Sequence, residues 1–202
     1  MFLGERYQRE TVLIDNKAHS ATESLNLGVT VVDHRAQRWD VELVVKPSIE
    51  FVRKLSAHRG RERWSSFTIP CPQYDGTGPN DGYLHHYPAD TRLNLSTQAT
   101  SGTGTVAVVK GSTEDVTLRT GRFISFAGHT KVYQVTMADD LEFDDNTTVR
   151  NVTFTPLLKS NVALGSYIRL NPNITVRHTP GNQWAYNAAW LYQDTIYLQE
   201  VI

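Results

Sequence analysis

Residues 121–135 read Gly-Arg-Phe-Ile-Ser-Phe-Ala-Gly-His-Thr-Lys-Val-Tyr-Gln-Val, and this stretch decides the fold of the chain. Two runs rich in aromatic and β-branched residues, 123–126 and 132–135, flank the small and polar residues 127–130. Strand-forming runs on both sides of a glycine-containing turn predict one β-hairpin. His129 lies in that turn, and we interpret it as a turn residue rather than a catalyst, because a solitary histidine is rarely functional.

The second half of the chain has the pattern of one strand after another. Predicted strands flank the hairpin at 92–96, 105–109, 148–154 and 167–176. Short β-branched runs without intervening helices predict a small antiparallel barrel or sandwich. Residues 102–107 have the form of a dinucleotide-binding fingerprint. We reject that interpretation because the glycines precede a predicted strand, whereas the motif opens a helix.

The first half of the chain combines strands with one predicted helix. Residues 11–14 predict a short strand followed by a polar, irregular stretch, and 27–32 with 38–45 predict an antiparallel pair. Trp39, Val41 and Leu43 alternate with polar residues, which indicates a strand with one face on a core. Apolar residues recur at helical spacing over 48–60, and residues 64–69 predict one more strand.

The two ends of the chain are predicted to belong to one domain. Residues 195–202 alternate as a strand does, and this strand needs a partner, which we expect in the N-terminal block. The proline- and glycine-rich segment 70–88 predicts a domain boundary. We therefore predict a mainly β protein: a discontinuous β-sandwich of 1–85 and 180–202 with one helix, and an inserted, small antiparallel barrel of 86–179.

Composition limits the function classes. The 202 residues carry 20 basic and 21 acidic side chains, so a net charge of −1 gives no global attraction to nucleic acid or anionic membranes. No apolar run reaches the roughly 18 residues of a membrane helix, and the N-terminal residues lack a signal-peptide core. We expect the protein to be made and kept in the cytoplasm until use, without membrane insertion. A single cysteine, Cys71, excludes an internal disulfide framework.

Two sets of residues suggest metal sites, and we reject both. His85 and His86 are adjacent, so on an extended chain they point to opposite sides, and no second ligand cluster follows. The acidic residues of 139–145 imitate the start of a calcium loop, but Asp145 replaces the turn glycine and Asn151 stands where the closing glutamate belongs. We interpret the acidic run as a solvated hairpin tip and predict neither metal nor cofactor.

The hairpin and its neighbours resemble a known family. The similarity comprises Gly121-Arg-Phe123-Ile, then His129-Thr-Lys131-Val-Tyr133, and Phe154-Thr-Pro156-Leu-Leu downstream. In these motifs and in the order of its elements, the chain resembles distal tail proteins of siphophages that infect Gram-negative hosts. The upstream segment 67–74 also resembles the exit from the first domain in that family. The matching residues are Gly121, Phe123, His129, Lys131, Tyr133 and Pro156.

The resemblance implies a structural protein of a long, non-contractile phage tail. Six copies would form a ring that joins the tail tube protein to the baseplate hub or tip protein. The inserted barrel would be similar to an oligonucleotide/oligosaccharide-binding (OB) fold. Genome DNA would pass through the lumen without specific binding, and the protein would be found at the distal end of the virion's tail after assembly in the host cytoplasm.

Two other function classes stay open. A host-surface saccharide-binding module of a phage tail is the alternative, with exposed aromatic candidates at Tyr83, Tyr87, Trp184 and Trp190. A cell-wall hydrolase is the third class, and we predict against an enzyme because no Ser-His-Asp, Cys-His or paired-carboxylate arrangement stands out in the sequence.

Overall fold

A computed structural model describes residues 8–23, 29–45, 66–71, 91–178, 186–187, 190–191 and 195–201. Within these ranges the chain forms strands and turns and contains no helix, so the prediction of a mainly β protein is confirmed. The predicted helix at 48–60 lies outside the described residues. In chain order the strands are β1 (Gln8–Glu23), β2 (Val29–Val45), β3 (Phe67–Pro70), β4 (Arg92–Leu95), β5 (Thr105–Lys110), β6 (Val116–Leu118), β7 (Phe123–Phe126), β8 (Val132–Val135), β9 (Leu141–Phe143), β10 (Arg150–Thr155), β11 (Tyr167–Arg169), β12 (Asn173–His178), β13 (Tyr186–Asn187), β14 (Trp190–Leu191) and β15 (Thr195–Glu200).

The chain divides into two compact units. One contains the described residues of 68–175, and the other contains those of 4–67 and 176–202. The division passes through β3 and β12. The boundaries at 85/86 and 179/180 stay predictions, because residues 72–90 and 179–185 are not among those described.

Six strands of the first unit form a closed antiparallel barrel. Its strand order is β10-β5-β4-β11-β7-β8, and β8 pairs with β10 to close it. Closure gives every strand two neighbours, so the barrel has no free edge. Apolar side chains from all six strands bury themselves inside, among them Leu93, Val108, Ile124, Val152 and Ile168. The interior is therefore a packed core.

The sequence analysis missed four short strands, β6, β9, β13 and β14. Its single strand at 167–176 is also wrong, because β11 belongs to the barrel and β12 to a different sheet. β6 and β9 pair with each other outside the barrel, in register from Val116 opposite Phe143 to Leu118 opposite Leu141. Each has three residues, which is too short for a period of two to be recognised in the sequence. Val116, Leu118 and Phe143 are nevertheless buried in the same core cluster as the barrel strands.

Besides the barrel and the two-stranded pairs β6–β9 and β13–β14, the described strands form a sheet of five strands in the order β1-β2-β15-β12-β3. β1 and β2 form a hairpin of 16- and 17-residue strands, roughly 50 Å long at about 3.3 Å per residue. The predicted irregular stretch after residue 14 is wrong, because β1 continues to Glu23. The predicted pair of 27–32 with 38–45 is also wrong, since 29–32 and 38–45 both belong to β2 and pair with β1. Long-range pairing here overrides the weak strand propensity of polar residues.

The C-terminal strand returns to the N-terminal block, as the sequence analysis predicted. Residues 195–199 of β15 pair antiparallel with 40–44 of β2, and β12 pairs with the other side of β15. One face of these strands is apolar: Trp39, Val41, Leu43, Ile196 and Leu198 are all buried. The predicted alternation is thus confirmed in β2 and in the first part of β15, and it is wrong at Gln199, which is buried like its neighbours Leu198 and Glu200.

Candidate functional site

The hairpin of residues 121–135 forms where the sequence predicts it, with β7 and β8 as its strands. The backbone N–H of His129 donates a hydrogen bond to the carbonyl of Phe126 over 3.0 Å, which closes a four-residue turn. Gly128, at the third position of this turn, has a φ of +82°, the left-handed conformation that favours glycine there. His129 is therefore a turn residue by its backbone.

The side chains of the hairpin build the aromatic part of the barrel core. Phe126, Tyr133 and Phe154 contact one another edge to face, with ring centroids 5.2 to 5.4 Å apart. The Tyr133 hydroxyl accepts a hydrogen bond from the backbone N–H of Lys159 over 3.2 Å, which satisfies its polar end. Tyr133 thus packs as a core residue.

The other residues of the family-like motif lie around this core. Gly121 has a φ of +83° and donates its N–H to the carbonyl of Val135, which extends the hairpin by one bond. Phe123 and Lys131 are buried, at 4% and 3% exposure. Pro156 is buried directly after β10. The structure thus brings these residues together as parts of the barrel.

His129 also makes a polar contact with its ring. Its Nε2 lies 3.1 Å from the Oγ of Ser160, which is exposed. Its Nδ1 is buried and has no hydrogen-bond partner among the described residues. A catalytic Ser-His arrangement requires a third group on Nδ1 that orients the imidazole. The pair as it stands lacks that orienting group within the described part of the chain.

The four predicted saccharide contacts fall where side chains are not described. Tyr83, Tyr87 and Trp184 lie outside the described residues. Trp190 belongs to β14, whose backbone pairs it with Asn187, and its side chain is outside the description. The prediction of an aromatic saccharide surface at these four positions stays a prediction.

A cleft that the sequence analysis missed lies beside β4. Its volume is about 650 Å³, and residues of β4, the end of β5 and the following loop line it, together with Asn146. Thr91, Arg92, Asn94, Lys110 and Gly111 contribute to its walls. No motif marks these residues, because they come from separate segments that only strand pairing brings together.

The interpretation of the acidic run 139–145 as a hairpin tip is wrong, because the run contains β9, which pairs with β6 and not with β10. Only Asp144 and Asp145 lie in the exposed connection from β9 to β10. The Asp145 carboxylate accepts hydrogen bonds from the backbone N–H and the hydroxyl of both Thr147 and Thr148, at 2.6 to 2.8 Å. These bonds, those from Thr148 foremost, hold the pKa of Asp145 well below its usual range. The Asp145 carboxylate thus stabilises the loop in which it lies.

Within the described ranges, no group of three or more His, Cys, Asp or Glu side chains has a geometry that could hold a metal ion. No helix in the described part of the chain is long and apolar enough to cross a membrane. The predicted metal pair, His85 and His86, falls outside the described residues.

The outer strand β1 is a second candidate site, because it lies at one edge of the five-stranded sheet. It pairs with β2 on one side, and it is the first strand in the order of the sheet. An edge strand presents unpaired backbone N–H and C=O groups that a strand of another chain can bind. Ile14 of β1 is a large apolar side chain with 43% of its surface exposed.

No protein-family model matches this chain, and no curated protein matches it either.

Proposed function

We propose that this protein is a structural ring protein of a long, non-contractile phage tail, in which six copies join the tail tube to the tip or baseplate hub. The observation that carries the proposal is the order of the elements. Strands from both ends of the chain form one sheet, and the barrel strands lie between them in sequence. This order is the one that the resemblance to siphophage distal tail proteins implies.

The long β1–β2 hairpin supports ring formation. β15 pairs only with residues 40–44 of β2. Among the described strands, therefore, no third strand pairs with most of the length of the β1–β2 hairpin. A ring requires a heterologous interface, in which one surface of a subunit binds a different surface of the next. The edge of β1 provides one such surface because its backbone groups are available for sheet extension.

The finer features of the fold belong to the same proposal. A discontinuous β-sandwich would complete the five-stranded sheet with strands from outside the described residues. The inserted barrel would have OB-like connections, although it closes with six strands where an OB fold has five. Genome DNA would pass through the ring without specific binding, in keeping with the net charge of −1.

Electron microscopy and light scattering of the purified protein test the ring. We expect sixfold rings of about 137 kDa, six times the 22.8 kDa chain, that bind purified tail tubes at one end. The variant Ile14→Glu places a charge on the edge strand, and we expect it to remain folded but to lose the rings.

Tyr197→Glu is the matched control for this variant. Tyr197 is 45% exposed on the same face of the same sheet, but β15 is an inner strand. We expect Tyr197→Glu to keep the rings. A monodisperse wild-type monomer that does not join tail tubes would overturn the proposal. Equal loss of rings in both variants would overturn the role of the β1 edge.

Saccharide binding at the host surface is a second candidate function. The observation that favours it is the cleft beside β4, because its size is within the range of roughly 300–1,000 Å³ that is usual for small-molecule sites. This second function is compatible with the first, since it uses the barrel rather than the sheet.

A further inference from the structure

The cleft beside β4 contains polar side-chain groups that make no hydrogen bond with the described residues. The Asn94 side chain lines the cleft and makes no hydrogen bond with the described residues. The Thr91 Oγ1 also has no hydrogen-bond partner there, although Thr91 is only 6% exposed. A buried hydroxyl without a hydrogen-bond partner destabilises the folded state. These groups are therefore available to a ligand that supplies donors and acceptors.

The cations of the cleft are, in contrast, held in place by the protein. The Lys110 Nζ is buried and lies 2.6 Å from Asp115 Oδ1 and 3.1 Å from the carbonyl of Asp144. The Arg92 Nε donates to the carbonyl of Gly111 over 3.3 Å. The Arg92 guanidinium also stacks 5.7 Å from the centroid of the Tyr167 ring. Both cations are thus oriented before any ligand binds.

Positive and negative side chains at the cleft nearly balance, and this balance indicates which class of ligand the cleft can bind. The cleft is lined by two cations, Lys110 and Arg92, and by one carboxylate, Glu114. Asp115 is not part of the lining, but its carboxylate pairs with Lys110 and neutralises that charge. Binding of a single-stranded nucleic acid requires a groove with excess positive charge. A balanced set of amide, hydroxyl, carboxylate and guanidinium groups instead suits a neutral ligand rich in hydroxyl groups. The charge pattern therefore favours a saccharide over a phosphate polymer.

Gly111 keeps the Asn94 amide in its place. A Cβ atom at position 111 would lie 2.6 Å from both Cγ and Oδ1 of Asn94, closer than real atoms approach. The φ of Gly111 does not lie in the left-handed region, so the backbone itself tolerates alanine. The flexible Asn94 side chain would move instead. Gly111→Ala thus displaces this amide without removing it.

From these contacts we propose that the cleft beside β4 binds a neutral oligosaccharide, with Asn94 and Thr91 as hydrogen-bonding residues and Gly111 as the residue that positions Asn94. This site rests on the second function proposed above, saccharide binding, and does not depend on the ring function. A protein that forms no rings would still bind saccharide, and a ring that binds no saccharide would still assemble.

Saturation-transfer NMR and calorimetric titration of the full-length protein test the site. The probes are maltotriose, triacetylchitotriose and the oligonucleotide dT10. We expect binding of at least one trisaccharide and none of dT10. Asn94→Ala and Gly111→Ala should each raise the dissociation constant for the trisaccharide by about tenfold, the effect of one or two lost hydrogen bonds. Asn151→Ala is the matched control, because Asn151 is exposed on β10 and outside the cleft, and it should bind like wild type.

Thr91→Val separates ligand binding from folding. Valine has the shape of threonine without the unpartnered hydroxyl, so we expect a melting temperature equal to or higher than that of wild type. The trisaccharide should bind several-fold more weakly to the same variant. The proposal would be overturned if the protein bound neither trisaccharide or bound dT10 alone. It would also be overturned if Asn94→Ala and Gly111→Ala bound the trisaccharide as tightly as wild type.

Discussion

The barrel and the five-stranded sheet differ in whether their outer strands are paired on both sides. The barrel forms from one continuous segment, β4 to β11, and closes on itself. The sheet takes strands from both halves of the chain, and among the described strands β1 and β3 each have a neighbour on one side only. A closed barrel is complete as a single chain, whereas an open sheet has surfaces left for a partner. This difference agrees with the two proposals, in which the barrel binds a ligand and the sheet takes part in assembly.

The two regions also differ in how they are stabilised. The core of the barrel depends on aromatic contacts between neighbouring strands, such as Phe126 against Tyr133. The sheet depends on contacts between distant parts of the sequence. The backbone N–H of Trp39 donates to the buried Glu200 carboxylate over 3.1 Å, across 161 positions of the chain. Mutations in each region can show whether the two unfold separately.

The largest effect is expected in the barrel core. Phe126→Ala removes a fully buried ring that contacts Tyr133 and Phe154, and it should lower the free energy of unfolding by about 3–5 kcal/mol. Urea denaturation monitored by fluorescence measures the loss. Leu164→Ala is the control, because Leu164 is 66% exposed, and we expect a change within about 0.5 kcal/mol. A loss below 1 kcal/mol for Phe126→Ala would contradict the packed core.

A smaller effect is expected in the sheet. Glu200→Leu removes the acceptor of the Trp39 N–H in a buried position, so we expect a loss of about 1–3 kcal/mol. Glu200→Gln keeps an oxygen acceptor and should lose less. Hydrogen exchange locates the change: protection should fall in β2 and β15, with the barrel amides unaffected. Equal loss of protection in the barrel would show that the two regions unfold as one.

The smallest effect is expected at Asp145, and it depends on pH. The pKa of Asp145 is lowered in the folded protein by hydrogen bonds from Thr148 and Thr147. Its contribution to stability is therefore fully present above the unfolded pKa of about 4 and is lost as the pH falls toward the folded value. Asp145→Ala should be less stable than wild type at pH 7, and the difference should shrink below about pH 4.

Asp139→Ala is the control for this pH dependence. Asp139 is also exposed in the acidic run, but its carboxylate makes no hydrogen bond within the described part of the chain. Urea unfolding of the wild type and both variants at pH 7 and pH 3 makes the comparison. A constant difference between Asp145→Ala and wild type across this range would contradict the assigned hydrogen bonds.

Local patterns predicted the barrel hairpin and the alternating strands well. The bounds of β7 and β8 are those predicted, because aromatic and β-branched residues flank a turn whose glycine supports a positive φ. The alternation in β2 and in the first part of β15 correctly predicted which side chains are buried, but it did not predict the burial of Gln199. The length of β1 was not predictable in this way, because its polar second half is a strand only through its pairing with β2.

The sequence by itself determined the β class of this protein, its principal turn and the apolar face of its strands, since these depend on neighbouring residues. The β7–β8 pair and the return of β15 to the N-terminal block were predictable, but only the tertiary structure decided how the other described strands pair and that Thr91, Asn94 and Gly111 line one cleft. The physical reason is that pairing and clefts arise from contacts between residues far apart in sequence, and no local period or motif records them.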